Sequence, residues 1–195
     1  MGSIFCLGRV VVFGWLLLLS TSLIMAFEEG VVVDGGSIME EVCSRTSEDN
    51  LLFCINCLKG KVMVQEQEEE GGGHEDEIKR LAGRLIDCAR ETFEVSRLFM
   101  INFCNNSTGT KFGEAGKFCV PKLGKAEVSF QAAREFWKYG RKTTTLQEIE
   151  NGFNAFHECA IHVPDTMPNM VHVTLNRLRV RCEMAKDVIN SIPAV

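Results

Sequence analysis

Apolar residues recur at three- and four-residue spacing along most of this chain. Between 122 and 139 they fall at Leu123, Ala126, Phe130, Ala133 and Trp137, the stripe of an amphipathic helix. Pro121 fits the first turn of that helix, where a missing N–H costs nothing. A second stripe, Leu146, Ile149, Phe153, Phe156 and Ala160, predicts a helix over 145–160, with Thr145 and Glu148 spaced as a capping box. Gly140 sits in the short link between the two, so they should form an antiparallel hairpin. A third stripe runs through Leu81, Leu85, Ala89, Phe93, Ser96, Met100 and Phe103. A fourth, over 169–192, uses Val171, Leu175, Leu178, Cys182, Ala185 and Ile189.

No segment alternates as a strand would, and Val31-Val32-Val33 is too short and isolated to build a sheet. The pattern therefore predicts an all-α protein: an up-down four-helix bundle with helices of about 16 to 24 residues. Residues 36–58 add a smaller helical hairpin in front of it, broken near "TSEDN".

Two stretches read as connectors. Residues 65–77 are acidic and contain three consecutive glycines. That composition suits a solvated linker better than a cation site built with His74, because the glycines impose no ligand geometry. Residues 104–118 contain "NNST", two overlapping acceptor sequences for N-glycosylation at Asn105 and Asn106, of which at most one would be used. They predict an exposed loop.

The N-terminus changes the picture of where this bundle belongs. Arg9 precedes an uncharged, apolar run over 10–26, and an acidic stretch follows. This is the layout of a secretory signal peptide cleaved after Ala26. An uncleaved anchor is less well supported, since Ser20 and Ser22 weaken the run and no basic cluster follows it. The division is thus a leader over 1–26 and one helical domain over 27–195, long enough for a proper core. Cleavage moves the net charge from −5 to −6. An acidic chain is a poor partner for nucleic acid or an anionic membrane, and suits a basic protein or matrix.

Leader removal also takes Cys6 from the nine cysteines and leaves eight. An even number in a secreted chain points to a disulfide framework, although eight cysteines allow 105 pairings. Helix geometry narrows them. Cys119 and Cys159 fall at the open end of the predicted hairpin, and Cys43 and Cys54 flank the turn of the small N-terminal one, so each pair can close locally. Cys57, Cys88, Cys104 and Cys182 stay open between two more bridges and buried free thiols. Cys54-x-x-Cys57 as a redox dithiol lacks the strand-to-helix setting such motifs occupy. As half a zinc site it lacks a second cysteine pair, and His157, His162 and His172 have no finger spacing. No phosphate loop, cofactor motif or convergent catalytic set is visible, so an enzyme is not expected and no cofactor is implied.

With these features in place, the chain resembles the plant pectin methylesterase inhibitor and invertase inhibitor family. The likeness rests on "IMEEVCSRTSEDNLLFCINCL", on the spacing of the Cys119–Cys159 hairpin, and on the closing helix "NRLRVRCEMAKDVINSI". It implies a four-helix bundle with an N-terminal hairpin, disulfides Cys43–Cys54 and Cys119–Cys159, and secretion to the cell wall (apoplast). It implies a non-enzymatic role, a one-to-one complex that blocks the active-site cleft of a pectin methylesterase, or alternatively of an acid invertase; a non-inhibitory module of the same fold is the remaining alternative. The tripeptide Pro-Lys-Phe associated with invertase inhibitors is absent, since Pro121-Lys122 is followed by Leu123, which favours the esterase. By the same resemblance, outer faces of the bundle helices would touch the partner, through Glu91, Glu94 and Arg97 and through Lys125, Gln131, Arg134 and Lys138.

Overall fold

Helix α1 (Ile38–Cys43) begins where Ser37 turns its side chain back to accept a hydrogen bond from the Glu40 N–H at 3.3 Å. Glu40 and Glu41 in its first turn complement the helix dipole. A short 3-10 turn (Glu48–Asn50) leads into α2 (Leu51–Val62), and the bundle follows: α3 (His74–Asn106), α4 (Lys111–Lys138), α5 (Lys142–Ala160) and α6 (Asn169–Ser191). The computed structural model describes residues 37–62 and 73–193. The leader expected over 1–26 and the start of the domain at 27 lie outside those residues, as does most of the acidic connector. Among the described residues there is no strand, and no helix is long and apolar enough to cross a membrane.

Each of the four long helices packs on two neighbours: α3 on α4 and α6, and α5 on α4 and α6. Most stripe positions enter the core, while Phe103, Trp137, Leu146, Phe153 and Ala160 are only partly buried against it. Leu81, Leu85, Ala89, Phe93, Ser96 and Met100 of α3 are buried, as are Leu123, Ala126, Phe130 and Ala133 of α4 and the whole predicted stripe of α6. At mid-height Phe93 meets Phe130 with ring centroids 5.2 Å apart and Phe156 at 6.2 Å, joining three helices through one ring. Gly152 makes room for this: a Cβ there would lie 2.7 Å from the Phe130 ring.

Several boundaries differ from the pattern. Helix α3 is 33 residues, about 50 Å, because its first turn takes in His74–Glu77 from the acidic stretch and its last turn takes in Asn105 and Asn106. The loop expected over 104–118 shrinks to Ser107–Thr110, and Gly109, at φ 79°, supplies the left-handed residue that a sharp reversal needs. Helix α4 starts at Lys111, so Pro121 is interior and Cys119 lies within the helix. An interior proline is unfavourable by about 3 kcal/mol. The turns before it nevertheless stay helical, because they bury Ala115, Gly116 and Cys119, and Gly116 lies directly against the Cys104 thiol. At the other end Gly140, with φ 69°, reverses the chain into α5. Helix α5 begins at Lys142, so Thr145 is not a cap. It is fully buried, and its hydroxyl donates back to the Arg141 carbonyl at 3.0 Å.

Three disulfides staple the fold. Cys43–Cys54 closes the α1–α2 hairpin with Cα atoms 5.6 Å apart, and Cys119–Cys159 ties α4 to α5 with Cα atoms 4.7 Å apart. Cys57–Cys88 fastens α2 to α3, which anchors the small hairpin on the bundle.

Two stability measurements follow. Breaking the 40-residue Cys119–Cys159 loop with paired alanines should lower unfolding free energy by about 4 kcal/mol in urea titration, the loop-closure entropy returned to the unfolded chain. Gly152→Ala should destabilise by about 1–3 kcal/mol, because overpacking against a fully buried ring outweighs the helix propensity gained. A neutral or stabilised G152A protein would show that Phe130 can move aside.

Candidate functional site

The charged residues of α3 recur every three or four positions, Asp87, Arg90, Glu94 and Arg97, so they share one outward face. On α4 the same logic aligns Glu127, Gln131, Arg134, Glu135 and Lys138. Where the two faces meet there is a shallow groove of about 260 Å³, lined by Asp87, Arg90, Gln131, Arg134, Glu135 and Lys138. Its ionic groups are held by one another. Arg134 Nε donates to Asp87 at 2.9 Å across the helix pair, and Lys138 reaches Glu135 at 2.7 Å along α4. One level further along, Arg97 Nε donates to Glu127 at 3.0 Å and again crosses from α3 to α4. Gly83 leaves room for Arg134, since a Cβ there would stand 3.0 Å from the guanidinium.

The structure therefore brings Gln131, Arg134 and Lys138 into one groove, with Arg97 in line beyond it. Glu94 is exposed on the same face. Glu91 lies at the margin, 3.8 Å from Arg90, and its charge also acts on Arg181 of α6. Lys125 is exposed on the opposite edge of α4, where it helps hold the Glu158 carboxyl of α5 below its usual range, behind the larger effect of the Lys122 hydrogen bond. Asp87, Arg90, Glu127 and Glu135 were missed by sequence reasoning. The signal that could have found them is the three- and four-residue charge spacing on the face opposite the apolar stripe.

Two other arginines are drawn partly inward. Arg84 is buried with its Nη1 lacking a partner, and burial, followed by Arg80, lowers its pKa. Arg181 of α6 donates to the Thr92 hydroxyl of α3, with its pKa lowered mainly by desolvation. The histidines do not converge. His157 is exposed and stacks on Phe153, exposed His162 lies 3.9 Å from the Phe118 ring, and His172 of α6 has a buried Nε2 without a partner. Among the described residues no group of three His, Cys, Asp or Glu could hold a metal ion.

Cys54 and Cys57 are not a dithiol pair, because each is bonded to a different partner, Cys43 and Cys88. The free cysteines among the described residues are Cys104 and Cys182, both buried. Burial raises the thiol pKa of Cys104 and raises that of Cys182 well above its ordinary value, so both are held as unreactive thiols. Asn105 and Asn106 are exposed at the C-terminal end of α3.

A comparison with protein-family models gives no match, and a comparison with curated proteins gives none. Among solved structures the chain is similar to mutant form A of a pectin methylesterase inhibitor from Arabidopsis. The identity is 16%, the TM-score is 0.64, and the match covers 82% of this chain and 100% of that one. It is also similar to a pectin methylesterase inhibitor from Arabidopsis thaliana, at 16% identity and a TM-score of 0.56, over 82% of this chain and 98% of that one. The fold is thus the helical bundle of these inhibitors. Both matched proteins are inhibitors rather than enzymes.

The cysteine assignment can be counted. The oxidised chain over 27–195 should show almost no reaction with a thiol reagent when native and two thiols when denatured without reductant, Cys104 and Cys182. Four thiols would mean that one of the three bridges, Cys57–Cys88 first, does not form.

Proposed function

We propose that this chain is a secreted protein inhibitor that covers the active-site cleft of a pectin methylesterase in a one-to-one complex. The observation that carries the reading is the fold: the match covers 100% and 98% of the length of two pectin methylesterase inhibitors. Three disulfides fit a secreted protein, and the cell wall is the compartment where such a target would be met.

The contact face in this reading is the outer side of α3 and α4. A standard interface buries about 800 Å² on each partner, and two adjacent helices of 33 and 28 residues offer ample surface for it. The face is also ordered before binding. Arg134 is held by Asp87 and Arg97 by Glu127, so little side-chain freedom remains to be lost when a partner arrives. The acidic balance of the chain favours approach to a basic enzyme surface.

An acid invertase is the second candidate target. The observation behind it is the tip of the α4–α5 hairpin, where Tyr139 is 75% exposed beside the Gly140 turn on a rigid, disulfide-tied support. Such a tip could enter a narrow cleft.

Titration of the oxidised chain over 27–195 against both enzymes at mildly acidic pH tests the proposal. Stoichiometric loss of esterase activity is expected, with invertase unaffected. Glu94→Lys combined with Lys138→Glu should weaken esterase binding at least tenfold in calorimetry while leaving the melting temperature within a few degrees. Loss of invertase activity alone would transfer the function to the hairpin tip. No effect on either enzyme at micromolar inhibitor would leave a secreted bundle without inhibitory activity.

A further inference from the structure

Two overlapping acceptor sequences end helix α3: Asn105-Asn106-Ser107 and Asn106-Ser107-Thr108. Both asparagines are exposed, so burial does not choose between them. The chemistry of transfer does. We propose that Asn106, and not Asn105, carries an N-linked glycan.

The third residue of each sequence makes the distinction. Transfer acts on the nascent chain and requires a hydroxyl two residues after the asparagine. Asn106 has a threonine there and Asn105 a serine, and the β-branched threonine, stiffer at χ1, loses less freedom when its hydroxyl is held for transfer. In the transfer, Nδ2 of Asn106 displaces a polyprenyl pyrophosphate from C1 of a lipid-linked oligosaccharide. A C–N bond forms, and one amide proton is lost. Once a glycan stands on Asn106, the adjacent Asn105 amide is too crowded to enter the same site.

The folded turn then has to accept the product, and it does so without rearrangement. The Ser107 N–H returns to the Cys104 carbonyl at 3.1 Å, and the Thr108 hydroxyl donates to the Asn105 carbonyl at 3.0 Å. Thr110 caps α4 by accepting from the Gly113 N–H at 3.2 Å. None of these bonds uses the Asn106 side chain.

Helical position decides which surface the glycan leaves open once the chain has folded. Asn105 follows Leu98 by two turns and Glu94 by three, so its side chain continues the outward stripe that also carries Glu91. Asn106 is rotated a further 100° or so and continues the line of Phe99 and Asn102 instead. Its glycan also stands about 24 Å along α3 from Arg90 and the groove. A sugar at Asn106 therefore leaves the α3–α4 face open, whereas one at Asn105 would rise from its edge.

The assignment holds whether or not the chain inhibits an esterase. It needs only passage through an oxidising secretory compartment, which the three disulfides need as well.

The test is to express the full chain in a eukaryotic secretory host and collect the protein from the medium. Glycans are released with an N-glycan amidase in heavy-oxygen water, and the peptide over α3 is sequenced by mass spectrometry. Heavy aspartate is expected at 106 and unlabelled asparagine at 105. Ser107→Ala, which removes only the Asn105 acceptor, should keep full occupancy. Thr108→Ala, which removes the Asn106 acceptor and leaves only the serine-type one at Asn105, should lower occupancy several-fold. Because transfer precedes folding, occupancy remains readable in intracellular protein even if a variant is retained. Label at 105, loss of the glycan in S107A with retention in T108A, or an unmodified Asn106 in secreted, disulfide-bonded protein would each overturn the proposal.

Discussion

One contact sets the geometry of the bundle: the Phe93 ring between Phe130 and Phe156. All three rings are essentially buried and belong to three different helices, so the spacing of α3, α4 and α5 is fixed where they meet. Truncating a buried phenylalanine typically costs about 3–5 kcal/mol, a large share of a domain's total stability. Gly152 is part of the same constraint, because α5 approaches α4 closely enough that only a hydrogen fits beside Phe130. The α3–α4 turn repeats the arrangement, with Gly116 beneath the Cys104 thiol and Gly113 against the Ser107 carbonyl. Close helix approach at these levels holds the outer faces of α3 and α4 at a separation that Arg134 and Arg97 can bridge.

Much of this was legible along the chain. The apolar stripes located all four long helices, because a period of 3.6 survives any change of outer-face residue, but they held only about half of the buried apolar residues and passed over Ile86, Val180, Met184 and Val188. Helix starts were less legible. Pro121 and Thr145 are both ordinary start signals, yet both are interior: the turns before Pro121 bury Ala115, Gly116 and Cys119, and α5 starts one turn ahead of the buried Thr145, at Lys142, whose ammonium donates to the Asn190 carbonyl of α6. Cys57–Cys88 could not have been derived from spacing. It depends on how the α1–α2 hairpin lies on the back of α3, which no local pattern encodes. The groove was half legible for the same reason. Periodicity shows that Gln131, Arg134 and Lys138 share a face, whereas their meeting with Asp87 and Arg90 depends on helix pairing.

At 16% identity the matched inhibitors and this chain share a fold whose requirements are few: four apolar stripes, small residues where helices meet, and locally closing hairpins. None of these constrains the exposed side chains. The outer face of α3 and α4 is therefore free to take on specificity without disturbing the core, and target preference cannot be inherited from the fold alone.

The composition of that face also bears on how it would bind. Its charges are largely satisfied within the protein, through Arg134–Asp87, Arg97–Glu127 and Lys138–Glu135. A partner's charges would have to compete with these pairs or join them, which favours orientation and encounter rate over net affinity. Affinity at protein interfaces comes mainly from a few desolvated anchors, aromatic and arginine side chains above all, set in apolar area inside a polar rim. Val95 and Leu98 on α3 and Val128 on α4 are 66%, 51% and 65% exposed, on the helices that carry the ionic groove. If α3 and α4 form the contact surface, these three side chains supply the apolar area and the paired charges around them set the register. Reversing the charge of Glu94 and Lys138 would then weaken binding by setting like charges against the partner, on top of what the apolar side chains contribute.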